Sequence, residues 1–177
     1  MRRIVKIALV VAIGLISASV SFAASVYETQ AEFLTRAFTD SRPGPSLIWL
    51  SGERKTQVRQ LLGHDYPALR LRYWCRAQRS AWILEEIGKE LPITVGIIID
   101  ANHIDSLRVL TYRENRGAEV VSPSFTDQFN GAALTGGNTL DTTIDGITGA
   151  TLSVQALTRL AAMALFLHED SGCNNEG

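Results

Sequence analysis

The sequence predicts an α+β fold in which an antiparallel β-sheet meander carries helices packed on one face. Four alternating or β-branched runs follow one another between residues 69 and 112, joined by short polar connections, which favours antiparallel pairing. A long apolar segment, residues 152–168, has the spacing of a helix that is buried on most of its sides. Strands followed by such a helix are typical of one sheet covered by helices.

The first 23 residues have the pattern of a secretory signal peptide. Arg2, Arg3 and Lys6 precede the apolar run 7–16, and small residues ending at Ala23 provide a cleavage site. The run is short for a membrane-spanning helix, which needs about 20 apolar residues, and no cysteine lies near the site for lipid attachment. We therefore expect cleavage near Ala23 and a periplasmic or otherwise extracytoplasmic mature protein.

Length and charge limit the function classes. Residues 24–177 suffice for one domain with a hydrophobic core. The whole chain has 17 basic and 18 acidic residues, and loss of the three basic leader residues changes the formal net charge from −1 to −4. We expect no nucleic-acid partner, because such a partner requires a basic surface.

The cysteines and histidines give no metal-site pattern. Cys75 lies in a predicted strand and Cys173 in a polar segment, 169–177, that is expected to be a flexible tail. An oxidising compartment permits a disulfide, but this placement does not favour one. The chain has no Cys-x-x-Cys, and its histidines lack ligand spacing, so no metal is expected.

The first part of the mature chain, 24–91, reads as an extension with helices and first strands, and no role is assigned to it. Residues 28–38 have amphipathic helical spacing, and a proline- and glycine-rich break follows. After the apolar run 47–50, Ser51 can cap a second helix, 53–62, which ends at Gly63.

Strands and a final helix account for the rest. The predicted strands are 69–76, 81–87, 93–100 and 104–112, and the core of the functional domain is expected to span 92–168. After them, residues 122–131 suggest one or two helical turns, and 135–138 a loop.

The stretch from Asp145 to Ser153 is the most informative part of the chain, because small residues and hydroxyls stand where the last helix begins. Helix N-termini carry free N–H groups and the positive dipole end, which suit a phosphate. Gly146 and Gly149 allow unusual backbone conformations and close approach of a ligand. Asp145 and Thr148 can cap the helix, and capping alone is a common use of such a stretch.

The same stretch resembles the flavinylation motif Asp-x-x-Thr/Ser-Gly-Ala-Thr of the FMN-binding domain family. The resemblance extends over residues 92–168, and it includes Glu114 and Gly117 as a Glu-x-x-Gly segment. Asn115 and Arg116 stand where many members have Thr-Pro. Further matching positions are Phe125, Phe129, Asn130 and Gly131.

The resemblance implies that Thr151 carries FMN through a phosphoester bond. It also implies a flavin transferase that takes FAD with magnesium, joins FMN to the hydroxyl and releases AMP, and Asp145 would help it engage the motif. The other expected cofactor-binding residues come from this motif and the Glu-x-x-Gly segment: Gly146, Thr148, Gly149, Ala150, Leu152, Ser153, Glu114 and Gly117.

The expected function is a periplasmic electron carrier that exchanges electrons with a membrane redox partner, and no catalytic acid or base is expected. Two alternatives stay open at this point: an FMN-dependent reductase with its own small substrate, and a non-redox docking module. Trp74, Trp82 and Tyr112 could contact the flavin ring by residue type, although each is more readily a core aromatic. All of this requires the Thr151 hydroxyl to be accessible.

Overall fold

The computed structural model describes residues 24–136 and 138–173. The expected signal peptide and its cleavage site therefore lie outside the described residues. Short 3-10 turns cover 118–121 and 127–129. The main elements in chain order are β1 (Ser25–Val26), α1 (Gln30–Ala37), β2 (Pro45–Trp49), α2 (Gly52–Leu62), β3 (Arg70–Arg76), β4 (Arg79–Ile87), β5 (Pro92–Asp100), β6 (His103–Tyr112), α3 (Pro123–Thr126) and α4 (Thr151–Asp170).

The strands form one antiparallel sheet in the order β1-β6-β5-β4-β3-β2, which confirms the α+β class. Its four inner members are the predicted meander, and two short edge strands bring the number in the described chain to six. Pairing continues across the expected boundary between residues 91 and 92, because β4 and β5 run side by side from the Arg79↔Asp100 pair to the Ile87↔Pro92 pair. Both segments therefore contribute to the same sheet.

Helices α2, α3 and α4 pack on one face of this sheet around a single core. Helix α4 is the centre of that core, with Leu157, Leu160 and Met163 fully buried. By length and composition it could cross a membrane, but 67% of its apolar window is buried inside the protein, as expected of a core helix. Its position is thereby fixed by packing.

Helix α1 lies on the opposite face, where it covers a smaller core with Phe33 and Leu34. It begins with a capping box, in which the Thr29 side chain accepts a hydrogen bond from Glu32 N–H and Glu32 accepts one from Thr29 N–H. Gly96 makes room for it, because a Cβ atom there would lie 2.6 Å from the Phe33 ring. The amphipathic pattern predicts that one side of α1 is buried, but it does not indicate which face of the sheet the helix covers.

Cys75 and Cys173 form a disulfide across a sequence separation of 98 residues. The sequence did not favour this pairing and left it undecided. Helix α4 runs on to Asp170, and the turn after it brings Cys173 back to β3, where the residue is only 2% exposed. The polar composition after residue 168 hides this return.

Candidate functional site

A cleft of about 400 Å³ lies at the N-terminal end of α4. Three chain segments enclose it: the turn between β4 and β5, the segment that follows β6, and the start of α4. Its volume falls in the range of small-molecule sites. The lining residues are Lys89, Glu90, Glu114, Asn115, Arg116, Gly149, Ala150, Thr151, Leu152 and Ser153.

Thr151 is the first residue of α4, and its side chain is exposed at the cleft. Ala150 holds the N-cap position, and no side chain caps this helix. The first helical N–H with a backbone acceptor is that of Val154, which donates to Ala150 O at 3.0 Å. The N–H groups of residues 151–153 find no acceptor within the described chain, so they are available to an anion.

The expected capping roles of Asp145 and Thr148 are therefore wrong. Both side chains are exposed and lie in the loop that leads to the helix, and neither lines the cleft. The loop is held instead by the Asp145 N–H, which donates to Gln128 Oε1 at 2.8 Å. Capping requires the side chain to sit next to the free N–H groups, and Ala150 holds the position from which a side chain could do so.

The two motif glycines differ in their backbone. Gly149 has φ of +86°, which favours glycine because it has no Cβ atom, and it lines the cleft. Gly146 does not have a positive φ, and it lies outside the cleft. Conformational freedom is thus required at Gly149 only.

Gly117 lies beneath the cleft, against the residue that precedes Thr151. Its φ is +83°, and a Cβ atom there would come within 2.9 Å of the Tyr112 hydroxyl and 3.2 Å of Ala150 Cβ. Glycine therefore permits the segment after β6 to pack directly on the start of α4. This explains the glycine of the Glu-x-x-Gly segment by close packing.

A buried hydrogen-bond chain fixes the same junction. Tyr112 Oη donates to Arg116 O at 2.6 Å and lies 3.1 Å from Ser153 Oγ. Because the phenol proton goes to the carbonyl, the Ser153 hydroxyl donates to Tyr112 Oη. Burial raises the pKa of Tyr112, against the lowering effect of the Ser153 hydrogen bond, and nearby Glu114, Glu119 and Tyr27 raise it further.

Glu114 forms one wall of the cleft by binding a turn. Its Oε1 atom accepts hydrogen bonds from the N–H groups of Lys89, Glu90 and Leu91 at 2.7, 2.6 and 2.9 Å. Burial works to raise the pKa of Glu114, but these three donors and the Lys89 charge outweigh it and hold the pKa below its ordinary value of 4.5. Glu114 stays ionised and connects the β4–β5 turn to the segment after β6.

The structure thus brings part of the predicted site together. Thr151, Gly149, Ala150, Leu152, Ser153 and Glu114 line the cleft, Gly117 supports it from below, and Asp145, Gly146 and Thr148 lie outside. Trp82, Trp74 and Tyr112 are buried at 0%, 4% and 2% exposure and are core residues rather than cleft aromatics. Lys89, Glu90, Asn115 and Arg116 complete the lining. Lys89 and Glu90 lie in the turn between β4 and β5, and the predicted pairing of those two strands could have indicated them.

Comparison with known proteins adds one observation. Residues 88–165 match the FMN-binding domain family. The chain contains an FMN-binding domain. This FMN-binding domain begins at the β4–β5 turn and ends inside α4, and it includes every residue that lines the cleft. Neither the curated proteins nor the solved structures gave a match.

Proposed function

We propose that this protein is an extracytoplasmic electron carrier whose FMN is attached through a phosphoester to Thr151. The FMN-binding domain supports a flavin-binding protein with FMN as the cofactor. The residue of attachment, the role in electron transfer and the compartment are the proposed steps beyond that. The observation that carries the proposal is an exposed threonine hydroxyl at an uncapped helix start that faces a cleft.

The two hydroxyls of the first turn of α4 are not equivalent. Ser153 is 4% exposed, and its hydroxyl is engaged with Tyr112. Thr151 is exposed, and its hydroxyl forms no hydrogen bond within the described residues. A modifying enzyme can therefore reach Thr151 and cannot reach Ser153 without opening the core. This difference in access supports Thr151 over Ser153 as the proposed attachment residue.

The residues present fit an esterified FMN. Its phosphate would meet the free N–H groups of residues 151–153 and the positive end of the α4 dipole. Leu152 is 48% exposed beside the attachment site and offers an apolar surface to the flavin ring. The bound cofactor would supply the electron-transfer chemistry, while the protein would hold and orient it.

In the proposed attachment reaction, the Thr151 Oγ atom attacks the phosphorus of FAD on its riboflavin side. The Oγ–P bond forms, the bond from that phosphorus to the bridging oxygen of the pyrophosphate breaks, and AMP leaves. The hydroxyl proton is released, and no electrons are transferred. A flavin transferase with magnesium would supply the catalysis.

A covalent bond suits an extracytoplasmic carrier, since a dissociable flavin would be lost by dilution. The tether fixes the effective concentration of flavin at its cleft whatever the external supply. The signal-peptide pattern of residues 1–23 supports this compartment. A membrane redox partner would then exchange electrons with the tethered flavin.

Co-expression with a flavin transferase, followed by intact-mass measurement, tests the attachment. We expect the wild type to gain the mass of FMN less one water and to fluoresce as flavin in a denaturing gel. Thr151→Ala should gain nothing, whereas Ser153→Ala should be modified as fully as the wild type. An unshifted wild-type mass, or equal flavin on Thr151→Ala, would remove the proposal.

A further inference from the structure

The cleft holds four charged side chains, and three of them already have partners. Lys89 and Glu90 form an exposed ion pair at 3.5 Å. Glu114 is engaged by three N–H groups. Arg116 is exposed and has neither an ion pair nor a side-chain hydrogen bond within the described residues. Arg116 is therefore the one charged side chain of the cleft without a partner within the described residues.

The backbone of Arg116 is fixed against the helix start. Its carbonyl accepts the Tyr112 hydroxyl, and that same hydroxyl accepts a hydrogen bond from Ser153 in the first turn of α4. The next residue, Gly117, packs on Ala150. The backbone of Arg116 is therefore held beside Gly117, which packs on the residue that precedes Thr151.

We propose that the Arg116 guanidinium binds the phosphate of the flavin nucleotide and makes this cleft selective for phosphorylated flavin. Guanidinium binds phosphate through charge-assisted and often paired hydrogen bonds, which are stronger than neutral ones. The free N–H groups of residues 151–153 supply the other donors. The inference rests on the proposed function only for the identity of the ligand.

FMN and riboflavin differ only in the phosphate, so the ratio of their affinities isolates this contact. Unmodified protein, expressed without a flavin transferase, is titrated with each flavin, and binding is followed by flavin fluorescence and by the shift in Tm. We expect wild type to prefer FMN, and Arg116→Gln to lose about five- to tenfold of that preference. Arg116→Lys should retain part of it, because the charge remains.

Arg159→Gln is the matched control, since Arg159 is an exposed arginine on α4 that does not line the cleft. Its FMN preference should equal that of the wild type. The inference is overturned if wild type shows no preference for FMN, or if Arg116→Gln keeps the full ratio. An unshifted mass after co-expression with the transferase would remove only the covalent attachment, and this titration does not depend on it.

Discussion

The Tyr112 hydroxyl lies 3.1 Å from the buried Ser153 hydroxyl, and this contact joins the last residue of β6 to the first turn of α4. The same phenol donates to the Arg116 carbonyl. One side chain therefore holds two of the three segments that enclose the cleft. The two segments are thus held together by the buried side chain of Tyr112, which does not line the cleft.

Tyr112→Phe should lower the free energy of unfolding by about 1–3 kcal/mol, because the Arg116 carbonyl and the buried Ser153 hydroxyl both lose their partner. Chemical denaturation measures this. Tyr73→Phe is the control, since the Tyr73 hydroxyl has no hydrogen bond within the described residues and its ring stacks on Trp82 at 4.7 Å. Similar losses in the two variants would contradict the role assigned to the phenol.

Gly117→Ala should destabilise the protein more than Gly149→Ala does. Both glycines have left-handed φ values, +83° and +86°, so each alanine costs about 1–2 kcal/mol in backbone strain. Only at Gly117 would the new methyl group also meet Tyr112 and Ala150, which adds about 1–3 kcal/mol. Thermal unfolding of the two variants compares them directly. Equal Tm losses would show that the segment after β6 can move away from α4.

Acid should weaken the Glu114 contact with the β4–β5 turn. The folded-state pKa of Glu114 lies below its ordinary value of 4.5, so its stabilising effect is complete above that value and is lost as pH falls through the folded-state pKa. Unfolding free energies measured from pH 7 down to pH 3 should show a shallower acid loss in Glu114→Gln than in the wild type. Parallel curves for the two proteins would remove this assignment.

Loss of the Cys75–Cys173 disulfide should lower the free energy of unfolding by about 2–5 kcal/mol, since the bond closes a long loop. Denaturation with and without a thiol reductant measures the effect. The double variant Cys75→Ala/Cys173→Ala should resemble the reduced wild type and should not respond to reductant. A reductant effect that persists in the double variant would have another cause.

Local sequence patterns were sufficient for much of the fold. Gly63 ends α2 in the left-handed conformation, and the four inner strands appear where alternation places them. The placement of α1 could not be read in this way, because it depends on the gap that Gly96 leaves for Phe33 on the opposite side of the sheet. Contacts between residues far apart in sequence leave no local periodicity.

The site residues also fall into two groups, those that local sequence predicts and those that depend on contacts between distant residues. The position of Thr151 at a helix start could be predicted because a helix start is a local feature. The contact that engages the Ser153 hydroxyl could not, because its partner Tyr112 lies 41 residues earlier. Lys89 and Glu90 reach the cleft through strand register and the Glu114 contact, and no pattern around them indicates a ligand. Asp145 and Thr148 resemble caps by composition, but Ala150 holds the N-cap position.

Ala150 leaves helix α4 without a side-chain cap, whereas helix α1 begins with the Thr29 capping box. Ser51, expected to cap α2, precedes that helix without a side-chain cap hydrogen bond. In the proposed holoprotein, the ester phosphate would occupy the place of the missing aspartate or serine. The attached flavin would then stabilise the first turn of α4, and amide hydrogen exchange in that turn would slow when the flavin is added. The first N–H groups of α4 would gain their hydrogen-bond acceptor only when the cofactor is attached.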